Sequence, residues 1–291
     1  MSQELSERII VENSEFPFTN REFTVITELM RRESGVNLSG AKANLVYSRL
    51  AKRLRSLKLK SFAQYCQLIQ SPEGEAERME MLAALTTNVT RFFREPHHFE
   101  HLKTKMLPGL AAQARAGGRV RLWSAACSSG QEPYSMALTL LEVMPDAARH
   151  DVKILATDID PNVLQAGEAG IYEESLLDGV PPGLRKSCFA REPDGQWRVN
   201  EEVRQLVSFK RLNLIGNWPM RVKFQAIFCR NVVIYFDNKT QEMIWSRFLP
   251  MIEEGGALYI GHSERVTGAA EPQFCNDGIT IYRKAGAGGH K

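Results

Sequence analysis

The chain lacks long apolar runs: no stretch among its 291 residues approaches the roughly 18 consecutive apolar residues of a membrane span. That excludes a helical membrane protein, and 43% hydrophobic with 24% charged residues fits an ordinary soluble globular chain. Cysteine is scarce. Cys66, Cys127, Cys188, Cys229 and Cys275 are odd in number, far apart and without a C-x-x-C, so neither a disulfide framework nor a zinc site is expected and the thiols read as reduced. Net charge is low, and +3 alone does not imply nucleic acid. The opening MSQELSERII has no signal-peptide pattern, so a cytoplasmic protein is expected. There is no internal repeat and no G-x-G-x-x-G. The length predicts one larger domain with a smaller one.

What is present is unevenly distributed. Residues 1–18 read as a mobile arm, after which Thr19-Asn20-Arg21-Glu22 is a capping box ahead of Phe23, Ile26 and Met30 at helical spacing. Gly35 ends that helix. Gly40 to Lys60 then holds seven basic residues (Lys42, Arg49, Lys52, Arg53, Arg55, Lys58, Lys60) and no acidic one. At helical spacing Val46, Tyr47, Leu50, Leu54 and Leu57 share a face, with Lys42, Arg49, Arg53 and Lys60 on a neighbouring stripe. A solvated amphipathic face is the plain reading of such a helix; an anionic partner is the sharper one. Ser61 to Gln64 is a second capping box, and Pro72 suits a helix start ahead of Met79, Leu82 and Leu85.

From Arg119 the pattern changes to short β-branched and apolar runs alternating with helical stretches: Val120 to Ser124, Val152 to Thr157, Ala226 to Phe228, Ala257 to Ile260. This alternation predicts an α/β fold with a parallel sheet. An interruption at 171–209 carries Pro193-Asp194-Gly195 between two apolar pieces, which predicts a hairpin within a small β insertion. The tail from 285 to 291 is expected to be disordered.

Two strand ends carry candidate chemistry. The first predicted strand runs into Ala126-Cys127-Ser128-Ser129-Gly130-Gln131-Glu132-Pro133, where small residues would let a ligand approach the backbone; a tight structural turn explains them equally well. Cys127 there reads as a packing residue. The second ends in Asp158-Ile159-Asp160-Pro161. Asp160 precedes a proline and is expected to cap the next helix. That leaves Asp158 to hold a ribose, as an acid at this position does in doubly wound folds. Glu132 sits at a helix start, where the dipole favours a carboxylate and a cationic ligand could use the same charge. His97 and His101 are one helical turn apart, but nothing further supports a metal, and none is expected.

Three further segments complete a pattern: Thr86 to Glu95 (TTNVTRFFRE), Leu212-Asn213-Leu214, and Ile227 to Phe236 (IFCRNVVIYF). Together with WSAACSSGQEPYS and ATDID, they resemble the CheR family of chemotaxis receptor methyltransferases, from about Arg21 to Tyr282. The resemblance implies a Rossmann-like S-adenosylmethionine-dependent methyltransferase domain (88–284) with an inserted antiparallel β subdomain (171–209), preceded by an all-α N-terminal domain (19–87). It implies that Asn88, Thr90 and Arg94 border the cofactor and acceptor. Glu132 would meet the methionine end, Asp158 the ribose and Asn213 with Leu214 the adenine, while Arg230, Asn231 and Tyr235 close the site. Arg94 and Tyr235 are the catalytic candidates.

The implied reaction transfers a methyl group to glutamate side chains of methyl-accepting chemotaxis receptors, and the implied place of work is the receptor array. Arg49, Lys52, Arg53 and Arg55 would face the receptor helices. The segment from Arg191 to Arg198 is short for the hairpin by which some members bind a receptor C-terminal peptide, so no tether is expected. A monomer is expected. Two alternatives stand beside this reading. An RNA methyltransferase would also use a basic stripe, although the Asn/Asp-Pro-Pro-aromatic box of amino-methylating DNA enzymes is replaced by Arg230-Asn231-Val232-Val233. A non-catalytic cofactor-sensing scaffold has no use for Arg94 and Tyr235.

Overall fold

Thr19 and Glu22 form the expected capping box at the start of helix α1 (Asn20–Ser34), where the Thr19 N–H donates to the Glu22 carboxylate at 2.9 Å. Gly35, left-handed at φ 79°, closes the helix. The computed structural model describes residues 9–11 and 14–286, which fall into two compact units. The first comprises the chain through Thr87 together with Tyr235–Asp237. It is built from α1, α2 (Ala43–Ser56), α3 (Phe62–Gln70) and α4 (Glu75–Leu85). Ile26, Met30, Val46, Leu50, Leu54, Phe62, Ile69 and Met81 are fully buried in it, each worth about 1.5–3 kcal/mol relative to exposure.

The expectation of a mobile arm through residue 18 is corrected at its end. Phe16 and Phe18 are buried, and the Phe18 ring lies 4.3 Å from that of Phe62. Residues 1–8 and 12–13, and 287–291 of the expected tail, lie outside the described residues.

The basic helix also differs from its sequence reading. Arg53 donates from Nε to Glu77 Oε1 at 3.0 Å and from Nη2 to Oε2 at 2.6 Å, and its Nη1 lies 3.1 Å from Glu80. The buried Tyr65 hydroxyl donates to the same Glu77. Arg49 donates to the carbonyls of Ala84 and Thr86 at the end of α4, and Arg55 pairs with Glu15. Half of the basic stripe is therefore a joint between α2 and α4. We expect Arg53→Ala to destabilise this unit by about 2–3 kcal/mol, below the cost of breaking a fully buried pair because Arg53 is partly solvated. Lys52→Ala should stay within about 0.5 kcal/mol. Urea unfolding of both variants measures the difference.

The second unit holds the sheet. Its strands are β1 (Val120–Ala125), β2 (Val152–Asp158), β6 (Val207–Arg211), β7 (Phe224–Cys229), β8 (Ile252–Ile260), β9 (Phe274–Gly278) and β10 (Ile281–Lys284). The order is β6-β2-β1-β7-β8-β10-β9, parallel through β8, with β10 antiparallel to β8 and β9 antiparallel to β10. Leu122 pairs with Ile154 on one side and Ala226 on the other. Both faces of the central strands are covered, which is why they read as near-continuous apolar runs.

Helices α5 (Pro96–His101), α6 (Leu107–Arg115), α7 (Gln131–Val143), α8 (Pro161–Ala169), α9 (Pro182–Cys188), α10 (Glu201–Arg204) and α11 (Asn238–Phe248) complete this unit. A separate antiparallel sheet joins β3 (Ile171–Tyr172), β5 (Trp197–Val199) and β4 (Phe189–Arg191), with Gly195 left-handed in the predicted turn. The insertion ends earlier than 209, because Val207 and Phe209 belong to the edge strand of the main sheet. Among the described residues no helix is long and apolar enough to cross a membrane.

Candidate functional site

The sheet has a topological switch point at β1: the chain runs outward on one side of it through β2 to β6, then returns to its other side at β7 and continues to β8. Doubly wound folds bind ligands just outside the carboxyl ends of the strands at such a point. The backbone there is strained. Ala126 (φ 65°) and Ser128 (φ 50°) after β1, Asn231 (φ 58°) after β7, and Phe93 (φ 50°) and Glu95 (φ 57°) in the segment before α5 are all left-handed without being glycine. Such residues cost about 1–3 kcal/mol each and concentrate at working sites. Gly130 (φ 94°) completes the loop after β1. A Cβ there would lie 2.9 Å from the Tyr172 hydroxyl and 3.0 Å from the Gly167 Cα.

Asp158 ends β2. Its Oδ2 accepts the Ser128 N–H at 2.9 Å and its Oδ1 the Asp160 N–H at 3.1 Å. A carboxylate has about four acceptor positions, so these two N–H groups do not exhaust its capacity for donors. Burial pushes the Asp158 carboxyl up, against the pull of those N–H groups. Asp160 caps α8 as the sequence predicts, accepting the Asn162 N–H at 2.9 Å, and its other oxygen accepts from Asn88 Nδ2 at 2.8 Å. Asn88 in turn accepts at its carbonyl from Ser128 Oγ.

Leu212 donates its N–H to the Asp158 carbonyl, which sets Asn213 and Leu214 beside the end of β2. Two residues that the sequence reading missed hold that loop. Arg247 donates to the Leu214 and Gly216 carbonyls, and Trp218 Nε1 donates to Leu214.

On the other side Glu132, in the first turn of α7, is buried between two donors. Ser124 Oγ donates to Oε1 at 2.7 Å and Arg230 Nη1 to Oε2 at 3.0 Å. The Arg230 side chain, 1% exposed, also lies 3.4 Å from Glu95 and donates to the Arg94 carbonyl. Burial pushes the Glu132 carboxyl up, with Arg230 and Ser124 pulling it back. Arg94 is half-buried, and its Nη1 donates to the Val89 carbonyl at 3.0 Å. Thr90 is half-buried in the same segment.

Four carboxylates (Glu95, Glu132, Asp158, Asp160) gather at these strand ends, with one buried guanidinium, Arg230, between Glu132 and Glu95. The raised Glu132 and Asp158 carboxyls are what a cationic ligand would relieve, so the donor and acceptor set fits the sulfonium and ribose of S-adenosylmethionine.

The histidines are not gathered as their spacing allows. His101 bonds Tyr259 and Asp277, while His97 meets the Ile279 carbonyl. Glu95, His97 and His98 do offer ligand atoms within 4.8 Å of one another, but the Arg230 guanidinium beside Glu95 opposes a cation there. Burial, then Arg230, holds His98 neutral, pushed down to about 3. Tyr235 groups with the helical unit, where its carbonyl accepts from Asn37 and Lys42 Nζ sits 5.4 Å from its ring. Glu264, after β8, was not singled out from the sequence, yet it accepts four backbone N–H groups beside Asn231.

Family comparisons agree with this geometry. The CheR methyltransferase SAM binding domain matches residues 88–282, and the CheR methyltransferase all-alpha domain matches residues 21–86. A Rhizobium etli protein described as a probable chemotaxis protein methyltransferase is 56% identical over 254 residues, covering 86% of this chain and 95% of its own. Chemotaxis protein methyltransferase 2 of Pseudomonas aeruginosa is 42% identical, covering 94% and 96%. The chemotaxis protein methyltransferase of Escherichia coli is 40% identical, covering 89% of each. With both domain matches in order along one chain and relatives similar over nearly their full length, this protein belongs to the CheR methyltransferase family.

Proposed function

We propose that the protein transfers a methyl group from S-adenosylmethionine to glutamate side-chain carboxylates of methyl-accepting chemotaxis receptors, forming glutamate methyl esters. The observation that carries the proposal is the set of buried carboxylates at the switch point, with Asp158 at the end of β2 and the Glu132–Arg230 pair on the other side of β1. When bound, S-adenosylmethionine supplies a methyl group on a positively charged sulfur.

Asp158 would hold the ribose hydroxyls and Asn213 with Leu214 the adenine. Glu132, Arg230 and Asn231 would take the methionine end, with Asn88 and Thr90 at the border. A glutamate acceptor, with a reference pKa of about 4.3, is already an anion at neutral pH. No general base is required, and positioning carries the rate. Arg94 suits that task, since a guanidinium forks onto a carboxylate without neutralising it chemically. The role of Tyr235 rests on its motif.

Asp158→Ala should weaken S-adenosylhomocysteine binding by about 3–6 kcal/mol, the worth of two hydrogen bonds to a charged acceptor. Calorimetry reads this directly, and unchanged affinity would place the ribose elsewhere. For the receptor face, Arg49 and Arg53 are half-buried on partners within the helical unit, which leaves the exposed Lys52 and Arg55 among the four, Arg55 reaching a receptor only by exchanging its exposed pair with Glu15. Association through them should weaken with salt. The proposal is tested by offering purified receptor cytoplasmic domains, RNA and DNA as competing acceptors of labelled methyl. Label on nucleic acid alone would replace it with the RNA or DNA reading.

A further inference from the structure

One carboxylate ties together the two turns that follow β7 and β8. Glu264, 9% exposed, accepts at Oε1 from the N–H groups of Val232 (2.9 Å) and Val233 (2.7 Å). Its Oε2 accepts from Asn231 (2.9 Å) and Gly261 (2.6 Å). Four donors match the acceptor capacity of an ionised carboxylate, so Glu264 is saturated by protein and has nothing left for a ligand.

Three of the four donors belong to the turn that carries Arg230 and Asn231. The same turn holds Asn231 in the left-handed region, which a non-glycine residue adopts only when its surroundings fix it. The Asn231 side chain has a weaker hold of its own, a 3.5 Å contact from Nδ2 to Glu95. The position of Asn231 is therefore set by its backbone, and the backbone is set by Glu264.

Gly261 closes the arrangement from the other side. A Cβ there would lie 2.5 Å from Asn231 Nδ2, 2.8 Å from Asn231 N and 2.9 Å from Glu264 Oε2. The two turns thus meet with no room for a methyl group between them. Burial pushes the Glu264 carboxyl up, and the four N–H groups oppose that push.

We infer that Glu264 is a positioning residue for methyl transfer: by clamping the N–H groups of Asn231, Val232 and Val233, it holds the Asn231 amide beside Glu95 at the switch point. It acts through Asn231 and not on a reactant. The inference rests on the methyl-transfer reading for what the switch-point site does. A glutamine at 264 would turn an amide N–H toward two of the four donors, and so would release part of the clamp without changing the side chain's size.

The test is a double-mutant cycle. Glu264→Gln, Asn231→Ala and their combination are assayed for kcat and KM with receptor domain, and for S-adenosylhomocysteine affinity by calorimetry. Each single variant should lose on the order of 10- to 100-fold in kcat, as misplaced reacting groups do, and the combination should lose no more than Asn231→Ala alone. Losses that multiply in the combination, as independent sites give, would overturn the inference. So would a folded Glu264→Gln enzyme with wild-type kcat and affinity.

If Glu264→Gln does not fold, Gly261→Ala takes its place in the cycle under the same criterion, since it presses on the same contact and keeps the carboxylate. If the wild-type enzyme labels no receptor, the methyl-transfer reading fails instead. The cycle in S-adenosylhomocysteine affinity then decides the clamp: non-additive losses keep it, and additive or absent losses overturn it.

Discussion

Arg230→Met is expected to lower the stability of the sheet-containing unit by about 3–5 kcal/mol and to abolish S-adenosylhomocysteine binding. The guanidinium is 1% exposed and lies between Glu132 and Glu95. Removing it leaves both carboxylates desolvated without their counter-charge, which is the costly way to break a buried pair. It also frees the Arg94 carbonyl, so the end of β7 and the segment before α5 lose their common anchor. Adding Glu132→Gln to Arg230→Met should recover part of the stability and none of the binding, because the buried charge is removed while the ligand's partner is not restored. Urea unfolding and calorimetry measure the two effects. A single variant within about 1 kcal/mol of wild type would mean that the pair is not buried as described.

Arg94→Ala is expected to lower methyl transfer to receptor by on the order of 10²-fold, the loss that follows when a reacting group is misplaced by about an ångström, while S-adenosylhomocysteine binding is largely kept. The backbone of Arg94 is fixed through its carbonyl by Arg230, and the neighbouring Phe93 N–H donates to Ser135 Oγ at 2.9 Å. The guanidinium itself remains half-buried, on the Val89 carbonyl. A fixed root with a usable head is what orienting a carboxylate requires. Lysine at this position should restore charge without the fork, and hence only part of the rate. Steady-state transfer by the alanine variant at the wild-type rate would remove Arg94 from the mechanism.

Much of this was legible because it is local. The capping box at Thr19, the cap at Asp160 and the Asp194-Gly195 hairpin each depend on residues within a few positions of one another. The central strands were legible for a different reason, since burial on both faces leaves an apolar run whatever the neighbours are. Val207 and Phe209 alternate with polar residues as an edge strand should, and only their nearness to the insertion concealed it. The β9–β10 hairpin was passed over even though Asp277-Gly278 marks its turn.

What the sequence hid is long-range pairing. The stretch from Gly40 to Lys60 contains no acid, but Arg53 finds Glu77 and Glu80 on another helix, so a local charge count overstates the free positive face. Glu264 offers no local pattern at all. Its four donors come from two turns, and only the sheet order brings the ends of β7 and β8 together.

The central claim is that the acceptor is a protein carboxylate, and the stability of the product bond tests it most directly. Receptor cytoplasmic domain labelled from tritiated S-adenosylmethionine by the wild-type enzyme is treated with alkali, and the volatile fraction is collected. The account predicts that the protein-bound label is released as methanol, and that Arg94→Ala yields almost none. Label that stays on the protein through alkali would be methyl on nitrogen or another stable site, and would contradict it.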